Sequence, residues 1–143
     1  AKTLLIIGAG AEQVPAYEIA KKRNLTIVGS DIDKDAPGLK LADFSLIAST
    51  RSPTDTLRQV KEFSKIHEID GVMTIANDVP YTVALVAQKL GLPSISLDAA
   101  SCASDKLKMK KAFNKANVSC PKFNSVLSLN ELSKTISNSY LLS

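Results

Sequence analysis

Five short apolar runs, each followed by a segment of different pattern, leave this chain few architectures to adopt. They are residues 3–7 ("TLLII"), 25–31 ("LTIVGSD"), 44–49 ("FSLIAS"), 71–76 ("GVMTIA") and 94–97. A short, mainly apolar run of this kind reads as a strand buried on both faces, which is the habit of parallel sheets. Parallel neighbours cannot be joined by a tight hairpin, because the connection must cross over a dozen or more residues. The predicted fold class is therefore α/β, a Rossmann-like parallel sheet of about five strands with helices on both faces. In such sheets ligands meet the carboxyl ends of the strands, at the point where strand order reverses.

The intervening segments carry helix signals. Residues 12–23 place Val14, Tyr17 and Ala20 on one face and close on Lys21, Lys22 and Arg23, cations suited to a helix C-terminus. Ser52, Pro53 and Asp55 supply an N-cap, a first-position proline and an acid at the dipole for a helix lined by Leu57, Val60 and Phe63. Pro80 falls in the first turn of a helix whose Val83, Val86, Ala87 and Leu90 face the sheet, and Gly91 ends it. After residue 100 the alternation stops, giving way to a helix over 104–116, then "VSCPKF", a helical stretch over 129–137 and an apolar "YLL". We read 1–100 as one domain and 101–143 as a linker helix with the beginning of the next. The end reads as an interruption rather than a domain boundary.

The turn after the first run poses the functional question. A dinucleotide fingerprint needs three glycines; Gly8 and Gly10 fill two positions, but Gln13 stands at the third. Asp31 follows at about the distance expected of a ribose-binding acid, and it could equally just end a strand and turn the chain. Glu12, Gln13, Asn77 and Asp78 are further polar groups at strand ends, suited either to binding a small ligand or to capping helices. For Asp78 the N-cap is the first reading.

Composition narrows the class. With 45% hydrophobic and 22% charged residues the chain is an ordinary globule. No apolar stretch approaches the roughly 20 residues of a membrane span, and no signal-like segment opens the chain, so a cytoplasmic location and no membrane partner are expected. Cys102 and Cys120 lack the paired spacing of a zinc site and read as buried or idle thiols. His67 reads as solvated surface. The excess positive charge gathers in "DKLKMKK", residues 105–111, where the only nearby aromatic, Phe113, shares a face with Met109, Ala112 and Ala116. That pattern describes a solvated lysine face opposite a packed one, and no nucleic-acid partner is expected.

Three stretches resemble the N-terminal part of the ATP-grasp ligases, nearest to the carbamoyl-phosphate synthase, biotin carboxylase and purine-biosynthetic carboxylase group. They are "IIGAGAEQVPAYEIAKK", "DIDKDAPGLKLADFSLIAS" and "KLGLPSISLDAASCASDKLKMKKAFNKANVSCPKF", the third being the most specific. Asp105, Lys106, Met109 and Pro121 fall where the family pattern has them, and Asn117 replaces the usual glycine before the proline. Asparagine tolerates the same left-handed backbone. The resemblance implies a Rossmann-like lobe leading into an ATP-grasp lobe, and ATP-dependent ligation through an acyl-phosphate. It implies ATP and Mg2+ as cofactors of the longer enzyme, with none bound to this chain alone. Lys106 would reach the nucleotide phosphates, while Lys108 and Lys110 are assigned to the solvated face. No catalytic residue and no metal ligand are expected within the chain. The glycine turn would shape a pocket for the acceptor, of the amino-acid, bicarbonate or sugar-phosphate class, and a homodimer is allowed. Two other readings stay open at this point, an NAD(P)- or nucleotide-binding Rossmann module using Gly8, Gly10 and Asp31, and a non-enzymatic interaction domain.

Overall fold

A computed structural model describes residues 1–140. Residues 141 and 142, the two leucines of the terminal "YLL", lie outside the described residues. The chain divides into two compact units, the first Ala1–Ser104 and the second beginning at Asp105.

The first unit contains a wholly parallel four-stranded sheet of β1 (Thr3–Ile7), β2 (Thr26–Asp31), β3 (Phe44–Ile47) and β4 (Gly71–Met73), in the order β3-β2-β1-β4. Ile7 of β1 stands opposite Ser30 of β2, and Ile6 opposite Met73 of β4. Because β4 joins β1 on the side away from β2, strand order reverses between β1 and β4. The turns leaving those two strands therefore flank the crevice where ligands bind in open α/β sheets.

Successive side chains of a strand point to opposite faces, so a fully apolar strand builds two cores at once. Leu5 and Ile7 join Val28, Leu46, Val60 and Val86 in a core under α2 (Pro53–Ser64) and α3 (Pro80–Leu90). Ile6 and Ile27 join Ala16, Tyr17, Ala20 and Leu39 under α1 (Val14–Lys22) on the other face. Helices on both faces are thus present as expected. α2 begins as its sequence requires, with Ser52 Oγ accepting the Asp55 amide at 3.3 Å and Pro53 in the first turn.

The strand count differs from the expected five. Residues 94–97 form no strand, and α4 (Leu97–Ser104) begins where that strand was placed and packs against α3. The reason is local. Ser96 Oγ accepts the Ala99 amide at 3.1 Å and Asp98 stands in the first turn, so the serine starts a helix instead of pairing with a neighbour. Ile95, whose apolar character suggested a strand, is 54% exposed.

In the second unit α5 (Lys106–Lys115) is followed by α6 (Leu129–Tyr140). Asn117 adopts the left-handed backbone expected of it, at φ 55°. The packed face expected on α5 is not observed, because none of its residues is buried. Phe113 is 37% exposed.

Candidate functional site

The turn after β1 is built around Gly8, which adopts φ +96° with its amide donating to Ser30 O at 2.7 Å. A Cβ at Gly8 would stand 2.9 Å from Nδ2 of Asn77, so the two turns of the crevice touch through this glycine. Gly10 then leads into a 3-10 turn, Ala11–Gln13, that runs directly into α1. The first amides of a helix have no intrahelical acceptor, and here those of Gly10, Ala11 and Glu12 open the helical path at the crevice.

Gln13, at the third-glycine position, proves to be the tie across the crevice. It is buried, and its Nε2 donates to Ile75 O at 3.0 Å and to Ala76 O at 3.1 Å. Ala76 is held at φ 48°, a left-handed conformation that costs an L-residue roughly 1–2 kcal/mol and is sustained by its surroundings. Thr74 adds a second tie, its hydroxyl donating to Ile7 O at 2.7 Å. The structure therefore brings Gly8, Gly10, Gln13 and Asn77 together.

Asp31 lies on the far side of the same turn and is already engaged. Its Oδ2 accepts the Ala9 amide at 2.8 Å and its Oδ1 the Asp33 amide at 3.0 Å. Both oxygens thus hold backbone, and the Ala9 amide is turned away from any incoming anion. Glu12 is exposed at the mouth of the turn. Asp78 is exposed as well, and the N-cap role expected of it falls to Val79, with no side-chain cap. The cause is Pro80, which opens α3 and pushes the residue before it out of helical conformation.

Sequence reasoning placed Tyr17 on a packed face and missed its second role. The buried hydroxyl donates to Gly8 O at 2.9 Å, with Ile6 O at 3.4 Å, so the ring of α1 fixes the glycine turn from beneath. Burial, with the charge of Asp31 adding to it, pushes the phenol above its ordinary range and keeps it a neutral donor. A signal existed in Gly29 and Gly38, where an added Cβ would lie 2.9 Å and 2.8 Å from atoms of Tyr17.

Lys106 belongs to the second unit. It follows the N-cap Asp105, whose Oδ1 accepts the amides of Leu107 at 2.9 Å and Lys108 at 3.0 Å. Two of the first amides of the helix are therefore held by its own cap. Lys106 lines a hollow of about 230 Å³ together with Leu107, Lys110, Phe123, Asn124 and Ser125. Lys110, assigned from the sequence to the solvated face, is half-buried in this hollow, and its ammonium sits 5.2 Å from the centroid of Phe123. Four residues on a helix advance by only about 40° around its axis, which places Lys110 one turn above Lys106.

Other candidates do not enter a site. His67 is exposed as expected but not merely solvated, its ring lying 5.0 Å from Phe63 and 4.7 Å from Phe44. Cys102 and Cys120 are free thiols, and Cys120 Sγ donates to Asn114 Oδ1 at 3.2 Å. Among the described residues no group of three or more His, Cys, Asp or Glu could hold a metal ion, so the magnesium implied by the resemblance has no ligands to assign. None of the described helices is long and apolar enough to cross a membrane.

Fold and crevice define a doubly wound α/β domain with a crevice at its switch point. Residues 24–94 match the family model of the ATP-grasp N-terminal domain. The fold is similar to that of phosphoribosylglycinamide synthetase from Anaerococcus prevotii, at 31% identity and TM-score 0.76, covering 96% of this chain and 34% of that one. It is similar also to L-amino acid ligase from Bacillus licheniformis, at 17% identity and TM-score 0.72, covering 98% of this chain and 42% of that one. A third likeness is to N5-carboxyaminoimidazole synthetase from Staphylococcus aureus in complex with ADP, at 20% identity and TM-score 0.74, covering 96% and 35%. The chain thus spans between a third and somewhat under half of these proteins. No curated protein sequence matches it significantly.

Proposed function

We propose that this chain is the N-terminal, substrate-binding part of a longer ATP-dependent ligase. In that reaction class a carboxylate oxygen attacks the γ-phosphorus of ATP and the bond to the ADP oxygen breaks. An amine or other nucleophile then displaces phosphate from the activated carbon. The crevice of Gly8, Gly10, Gln13 and Asn77 receives the acceptor or its phosphate, with Glu12 and Asp78 at its exposed rim. The amides of Gly10, Ala11 and Glu12 suit an anion there. Lys106 meets the nucleotide phosphates, a role that a flexible point charge performs without demanding planar geometry. The acceptor is a small molecule, of a kind with the ribonucleotides and amino acids in the names of the similar proteins.

One observation carries this reading against an NAD(P) module. The third glycine of a dinucleotide fingerprint, where helix packs closely on strand, is replaced by buried Gln13, whose side chain is tied across the crevice to Ile75 O and Ala76 O. Two measurements test it. NAD+ and NADH at millimolar concentration should leave the melting temperature of the chain unchanged, because only a ligand of the folded state raises it. In the complete enzyme Lys106→Ala should lower ATP turnover by about tenfold or more, as loss of a charge-assisted contact made in the transition state would, and Lys108→Ala should stay within about twofold. Stabilisation by NAD+, or full activity of Lys106→Ala, would sink the proposal.

A further inference from the structure

The hollow beside Lys106 holds more than the one cation that the sequence assigned to it. Lys106 and Lys110 both line it, one helical turn apart, and the remaining wall is Leu107, Phe123, Asn124 and Ser125, with no acidic side chain. Two like charges at this spacing repel each other, so the pair is a liability to an isolated helix. Lys110 nevertheless does not swing out into solvent. It is half-buried, its ammonium lying 5.2 Å from the centre of the Phe123 ring, within cation–π range. Asp105, the nearest acid in the chain, turns a carboxylate oxygen to the amides of Leu107 and Lys108.

We infer that Lys110 is a second ligand of the nucleotide's phosphate chain, held at the hollow by the face of Phe123. The inference rests on the reading of Lys106 as a phosphate contact and extends it. Two cationic side chains on one wall put two positive charges against a phosphate chain, which carries more negative charge than a monophosphate. Phe123 acts by position alone, since the ring keeps the second ammonium pointed into the hollow while no anion is bound. Asn124 and Ser125 add neutral donors on the same wall. The ligand class is therefore a polyphosphate chain, not a lone monophosphate.

Isotope-labelled chain titrated with ATP, AMP and inorganic tripolyphosphate, followed by NMR shifts of residues 106–110 and 123–125, tests this. ATP and tripolyphosphate should both bind with dissociation constants on the order of 1 mM, and AMP at least about fivefold more weakly. Lys110→Ala should weaken ATP by about fivefold, comparably to Lys106→Ala, while Lys110→Arg restores binding because guanidinium also stacks on an aromatic face. Phe123→Leu should weaken it by about twofold, and adding Phe123→Leu to Lys110→Ala should change nothing further, since the ring acts only through that lysine. If Lys106→Ala weakens ATP and Lys110→Ala does not, the inference falls and the proposed function stands. If neither does, or no shift is seen at 10 mM ATP, the inference falls, and the turnover of Lys106→Ala in the complete enzyme decides the proposed function separately.

Discussion

At the scale of single residues, Gly8 and Ser30, linked by the Gly8 amide and the Ser30 carbonyl, should respond oppositely to the same change. Gly8 sits at φ +96° with Asn77 Nδ2 filling the space a Cβ would need. Gly8→Ala should therefore cost about 2 kcal/mol or more, combining left-handed strain with the displacement of Asn77. Ser30 is fully buried, and its hydroxyl has no hydrogen-bond partner among the described residues. An unsatisfied buried hydroxyl costs roughly 1–3 kcal/mol, so Ser30→Ala should stabilise the protein by about 1 kcal/mol. Urea unfolding of both variants against the parent measures the two signs. A stabilising Gly8→Ala would show that the turn relaxes freely, and a destabilising Ser30→Ala would show that the hydroxyl is engaged.

At the scale of elements, α2 shows how much a cap controls. Asp55 in its first turn bonds the side chain of Arg58 and accepts the Ser49 amide at 3.1 Å, and these hold its carboxyl below the ordinary value of about 3.8. A folded value below the unfolded one stabilises the protein at higher pH, and that contribution disappears as pH falls through the folded value. The window therefore lies below about pH 3.8. Asp55→Asn should be less stable than the parent at neutral pH and lose less stability on acidification, and equal acid limbs would refute this. Arg58 is largely exposed, so added salt should shrink the difference. This start was readable in the sequence because each part of it is local: Ser52, Pro53 and Asp55 lie within four residues of one another. The first two strands were readable for a similar reason, as apolar runs buried on both faces, whereas β3, at the sheet edge, buries only Leu46 and was readable from its apolar residues alone. Residues 94–97 were misread because a short apolar run cannot be told from the entry to a buried helix by periodicity, and Ser96 decides the matter by capping. In the candidate site, Gly8 announced itself by residue type. The tie from Gln13 to Ile75 and Ala76 did not, because it joins loops more than sixty residues apart and depends on β4 lying beside β1. The engagement of Asp31 escaped notice likewise, since a carboxylate bonded to a backbone amide looks, in sequence, like one awaiting a ligand.

At the scale of the whole molecule, the two units differ in how they are held. Among the described residues every buried one lies between Leu5 and Ala100, and the four strands lie between Thr3 and Met73. From 105 to 138 no residue is buried, and the large apolar side chains Leu127 and Leu129 are 92% and 84% exposed. Burial of apolar surface supplies most of the free energy that opposes chain entropy. The cooperative unfolding of the chain should therefore be that of its first unit alone. A protein ending at Ser104 is expected to melt within about 3 °C of the 143-residue chain, because a loss of 1 kcal/mol would already shift a domain of this size by several degrees. Hydrogen exchange on the longer chain gives the complementary reading. Amides of β1 and β2 should exchange only by global opening, and those of α5 and α6 near the rate of a fraying helix, since a helix without a buried face draws little stability beyond its propensity. A fall of 10 °C or more on removal of residues 105–143, with core-like protection in α5, would mean that the second unit shares the core of the first.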